Sequence, residues 1–142
     1  MTRIAFARWT FRLAAIYGLI VMLPFYGLEQ RIGQDTPPPI THPEYYYGFV
    51  GAAVSANLLY GLISFDPLRY RPAMPIAVLA KLSFALAVFW LAAAGRVSGG
   101  PLGFAMVDFA IGVLFGVAFL SLRHQTAAPT TYSNNSSPET RW

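Results

Sequence analysis

The chain has 142 residues, a net charge of +4 and a mean hydropathy of +0.48. Its 56% hydrophobic and 11% charged content does not fit a water-soluble domain, where about 25% of residues carry charge. The absence of cysteine excludes disulfides, thiolate metal sites and thiol redox chemistry within the chain.

Four apolar segments follow one another. The first, residues 8–28, reads RWTFRLAAIYGLIVMLPFYGL and has no charge after Arg12. Arg3, Arg8 and Arg12 ahead of an apolar run resemble a signal peptide, but PFYGLEQ offers no small-x-small cleavage site, so an uncleaved helix is expected. The second segment, 45–65, is YYYGFVGAAVSANLLYGLISF and carries no formal charge. The third, 75–95, carries only Lys81, and the fourth, 101–122, only Asp108. Each has about the 20 residues that a helix needs to cross a bilayer, where the backbone must satisfy its own hydrogen bonds. The expected fold is all-α: an integral membrane four-helix transmembrane bundle over residues 1–123.

Between the first two segments lies EQRIGQDTPPPITHPEYYY, whose four prolines within residues 37–43 predict a stiff, extended stretch. The polar tail at 124–142 reads as a disordered cytoplasmic segment. Arg3, Arg8, Arg12, Arg69, Arg71 and Arg123 fall on one side of the four spans, and only Arg31 and Arg96 on the other. That asymmetry predicts both termini inside (N-in/C-in), in a bacterial cytoplasmic membrane. The basic excess is thus a topology signal with contacts to membrane lipids, not a nucleic-acid footprint. Trp9, Tyr45, Tyr46, Tyr47, Tyr70 and Trp90 lie near the expected interfaces, where amphipathic rings are favoured.

Polar residues within the spans are the candidate site. Asp108, Gly112 and Gly116 recur every four residues and share one helix face, with a GxxxG pair for close helix approach. Asn57 is flanked by Ala53 and Gly61, and Lys81 by Ala77 and Ala85, at the same spacing. From the expected outer helix ends, Asp108 lies ~10 Å deep, Tyr17 ~16 Å, Asn57 ~18 Å and Lys81 ~21 Å. The ~11 Å offset between Asp108 and Lys81 requires helix tilt or a bridging water for the two to pair. Two readings stand for this ladder: a proton- or substrate-binding group, or interhelical hydrogen bonds that fix register.

The connection FDPLRYRPAMP, 65–75, is a proline-rich turn in which Asp66 can pair with Arg69 and Arg71 is free for a lipid head group. With YYYGFVG and the following PIAVLAKLSF, this Asp-Pro-x-Arg-Tyr-Arg-Pro turn resembles small bacterial four-span proteins and is similar to the DoxX-like group over residues 45–122. In that pattern an acidic residue often precedes the lysine, where this chain has Ala80. The resemblance implies four helices with short loops, in a group whose roles include redox-associated subunits. His42 and His124 flank the spans, so no intramembrane bis-histidine haem is expected, nor any other cofactor, metal site or catalytic residue. The function expected first is an accessory or scaffold subunit that binds partner membrane proteins, lipid or a second copy of itself. A small proton-coupled carrier using Asp108 comes second. An enzyme acting on a lipophilic substrate comes third.

Overall fold

The computed structural model describes residues 2–35 and 39–123. The tail expected at 124–142 lies outside the described residues, as does part of the proline-rich stretch. The described chain forms α1 (Arg3–Met22), α2 (Glu29–Asp35), α3 (Pro43–Phe65), α4 (Met74–Ala93) and α5 (Gly100–Ser121). Single 3-10 turns at Leu23–Gly27 and Arg71–Ala73 extend α1 and precede α4, and among the described residues there is no strand. Four of the helices are long and apolar enough to cross a membrane, as expected of a multi-pass membrane protein.

The helix ends differ from the sequence expectations for local chemical reasons. α1 starts at Arg3, not near residue 8, because the Thr2 hydroxyl accepts a hydrogen bond from the Ala5 N–H at 3.2 Å and caps the first turn. It tightens into a 3-10 turn at Leu23, beside Pro24, whose ring cannot donate to the helical ladder. α4 ends at Ala93 because Gly95 adopts φ +69°. Its N–H bonds to the Ala92 carbonyl and the Arg96 N–H to the Leu91 carbonyl, both at 2.9 Å, the paired bonds of a Schellman stop. Gly99, at φ +70°, then turns the chain into α5.

α3 packs on α1, α1 on α5, and α5 on α4, whereas α3 and α4 barely meet although a short connection joins them. That connection is compact: the Asp66 carboxylate accepts from the Arg69 backbone N–H at 3.1 Å, and Pro67 is buried. The core lies at this end of the bundle, which also holds the start of α1 and the finish of α5. Ala7, Phe11, Ala14, Tyr60, Ile63, Met74, Ala77, Phe115 and Ala118 are all buried there. Phe11 stacks on Phe115 with centroids 4.0 Å apart, and Tyr60 meets Phe115 edge-on at 5.0 Å. Each such pair contributes about 0.5–1.5 kcal/mol beyond its buried area. This aromatic cluster closes the terminal end of the bundle.

The opposite end is roofed rather than packed. α2 occupies part of the segment expected to be loop, with Glu29 in its first turn, where the helix dipole favours a negative charge. Two hydroxyls tie this roof to the start of α3: Tyr46 donates to the Phe25 carbonyl at 2.7 Å, and Tyr47 to the Glu29 carboxylate at 2.8 Å. These tyrosines, expected only as interfacial rings, hold the roof down. Tyr47→Phe is expected to speed amide hydrogen exchange across residues 29–35 several-fold while leaving α4 and α5 unchanged, as read by mass spectrometry.

Candidate functional site

Beneath the roof, between the α1–α3 pair and the α4–α5 pair, lies a cavity of about 820 Å³. Its walls are mostly apolar, with Phe25 and Ile32 of the roof above and Tyr60 of the aromatic cluster below. Tyr17, Asn57, Lys81 and Asp108, the four polar residues expected within the spans, all line it. The fold thus gathers residues from four helices around one space.

The Lys81 ammonium donates to Asp108 Oδ1 at 2.7 Å, with the two side chains only 10% and 18% exposed. The pair was expected to need helix tilt or a bridging water across a ~11 Å offset; the contact is direct. The Schellman stop ends α4 at Ala93 and α5 begins at Gly100. Counted from those ends, Lys81 is ~18 Å deep and Asp108 ~12 Å, leaving ~6 Å, which a four-carbon lysine stem spans. Gly112 permits the approach. A Cβ there would lie 3.3 Å from Lys81 Cβ and 2.8 Å from Leu82 Cδ2, so the glycine keeps the α5 backbone against α4 one turn below Asp108. The Lys81 ammonium also sits 5.7 Å from the Tyr60 ring centroid, within cation–π range. The carboxylate partner of Lys81 therefore comes from the neighbouring helix. Ala80, the position before it, is exposed at the edge of the cavity.

Asn57 is 3% exposed. Its Nδ2 donates to the Ala53 carbonyl at 2.8 Å, which fixes the orientation of the amide. Its Oδ1 has no hydrogen-bond partner among the described residues and lies over Gly18, where any Cβ would fall on the amide. Gly18 and Tyr60 belong to this site although the sequence expectations omitted both. The signal for Gly18 was the stripe Ala7, Phe11, Ala14, Ala15, Gly18, which follows helical spacing along α1 and is buried throughout.

The remaining expected positions are divided. Ala53 lines the cavity, Gly61 is in ordinary contact range of Ala15, and Ala77 and Ala85 are buried in separate parts of the core. Gly116 is different: a Cβ there would meet nothing within 4 Å. Arg69 and Arg71 lie at the far, terminal end, their guanidinium groups over the rings of Tyr70 (5.6 Å) and Phe119 (4.9 Å). Among the described residues no cluster of three or more His, Asp or Glu side chains is placed to hold a metal ion.

The cavity has one loose side. Phe49 and Ala52 of α3 and Ala80 and Ser83 of α4 line it and are themselves exposed, and the rings of Phe49 and Phe84 face one another across the gap at 6.0 Å. α3 and α4 make little contact along this seam. No family model, curated protein or solved structure matches the chain.

Proposed function

We propose that this protein binds a lipophilic small molecule drawn from the bilayer, which enters through the α3–α4 seam and sits in the cavity with its polar end at the Lys81–Asp108 pair. The observation that carries this reading is the pair's position. An ion pair is costly to desolvate, and here it bridges α4 and α5 on the wall of an apolar, laterally open cavity. An intramembrane ionisable residue facing a cavity marks a ligand or ion site by default, and a mostly apolar pocket with a few convergent polar groups suits a small ligand.

The scaffold reading has less support. Gly112, half of the expected docking motif, is already occupied by α4 inside the bundle. Transport would require a second opening, and the Phe11–Tyr60–Phe115 cluster closes the terminal end. The asymmetry of the basic residues supports a bacterial cytoplasmic membrane with both termini inside, which would put the roof on the outer face.

The test is purification in native lipid followed by mass spectrometry of retained small molecules, beside the variant Ala52→Trp. Ala52 is exposed at the seam, so a tryptophan there blocks entry without disturbing the core. A compound retained by the parent and depleted at least several-fold in Ala52→Trp supports the reading. Equal retention by the two, or none by either, overturns it.

A further inference from the structure

Resting on that cavity reading, we infer that the ligand's polar end is an uncharged hydroxyl, so that the site selects a neutral lipid alcohol or phenol over a fatty acid or a lipid amine. Three observations carry this. The first is charge balance. Lys81 and Asp108 neutralise one another at 2.7 Å, and neither Tyr17, Asn57 nor Tyr60 adds a formal charge to the lining. A carboxylate entering this space would meet Asp108 with Lys81 already committed, and an ammonium would meet Lys81 likewise. Either brings a net charge into a poorly solvated site, where an uncompensated charge is strongly disfavoured.

The second is the hydrogen-bonding capacity left over. Lys81 occupies Asp108 Oδ1, and no other described side chain bonds that carboxylate, so its second oxygen can accept. The ammonium has three N–H donors and uses one on Asp108. A hydroxyl is the smallest uncharged group that can donate to one and accept from the other at once. A ketone or ester only accepts, and leaves the carboxylate oxygen without a partner.

The third is the surroundings. The hydroxyls of Tyr17 and Tyr60 form no side-chain hydrogen bond among the described residues, and both residues line the same cavity. The walls beyond this polar patch are apolar apart from Ser83, whose hydroxyl donates to the Ala80 carbonyl, which suits an alkyl or isoprenoid body. The Asn57 carbonyl oxygen, although without a partner among the described residues, is covered by Gly18 and is not part of the head-group site.

The experiment uses the whole chain in phosphatidylcholine nanodiscs and photoreactive probes that share one long alkyl chain and end in a hydroxyl, a carboxylate, an ammonium or a methyl group. Labelled residues are mapped by mass spectrometry. The hydroxyl probe is expected to label cavity residues roughly tenfold more than any other at equal loading, the discrimination a buried, charge-balanced site imposes. In Asp108→Asn, with Lys81 left alone, preference shifts to the carboxylate probe, and in Lys81→Met it shifts to the ammonium probe. Should either variant fail to fold, the comparison in the parent protein still decides. A parent preference for the carboxylate or the ammonium overturns the inference. Cavity labelling by the methyl probe equal to that by the hydroxyl probe overturns it while leaving the cavity reading intact. Absence of cavity labelling by every probe overturns the cavity reading itself.

Discussion

Lys81→Met and Asp108→Asn, each alone, are expected to destabilise the protein by about 3–5 kcal/mol, whereas the two combined recover most of that loss. Both side chains are almost wholly removed from solvent, and a lone charge at the centre of a bilayer costs about 2.5–3.5 kcal/mol even by the lower scales. Asp108→Asn leaves an ammonium with the Tyr60 ring as its nearest compensation, at 5.7 Å. Lys81→Met leaves a carboxylate with no side-chain donor among the described residues. Removing both charges removes both desolvation penalties, and Met and Asn are close in volume to the residues they replace. The measurement is a double-mutant cycle read by reversible unfolding in mixed micelles. Single variants within about 0.5 kcal/mol of the parent would mean that the pair is solvated, and the site as described would not stand. The cycle also separates structural from binding roles. A double variant as stable as the parent that no longer retains a lipophilic compound places the pair's role in recognition.

How far the sequence foretold this arrangement depends on the range of each interaction. The four spans were legible because an apolar run of some twenty residues bounded by charges, glycine and proline has one cheap solution in lipid, a helix. Helix ends were less so. Gly95 reads equally as the last residue of an apolar run or as the left-handed stop two places beyond the helix, and only the hydrogen bonds of Gly95 and Arg96 decide. That small ambiguity propagated. Two residues at one end and one at the other changed the Lys81–Asp108 offset from ~11 Å to ~6 Å, from a pair needing help to a direct ion pair. α2 is seven residues long and precedes a proline-rich stretch, so its local signal was weak. The polar residues of the site were legible one at a time, as charges or amides in apolar helices. Their meeting around one cavity was not, because helix rotation and pairing order are set by the sum of many small contacts. The looseness of the α3–α4 seam in particular has no counterpart in local sequence.

Gly18→Ala is expected to destabilise the protein by about 1–3 kcal/mol, a large effect for one methyl group, and Asn57→Ala in the same chain should rescue much of it. At Gly18 a Cβ would fall on the Asn57 amide, with Nδ2 2.6 Å away. The amide cannot simply swing aside: its Nδ2 is held by the Ala53 carbonyl at 2.8 Å, and the side chain is buried. The methyl must therefore either separate α1 from α3, an overpacking cost of about 1–3 kcal/mol, or break the bond to Ala53 and leave a buried amide unsatisfied, at about 1–3 kcal/mol. Asn57→Ala alone should cost little, about 1 kcal/mol or less, because the Oδ1 it deletes has no hydrogen-bond partner among the described residues. That ordering runs against the usual view of an intramembrane asparagine as interhelical glue, under which Asn57→Ala would be the damaging change and Gly18→Ala the mild one. The unfolding free energies of the two single variants and the double variant decide between them. A coupling energy near zero would show that α1 and α3 do not approach at this point. Because Gly18 and Asn57 both line the cavity, a strong coupling would also mean that this close approach fixes the width of the wall opposite the Lys81–Asp108 pair.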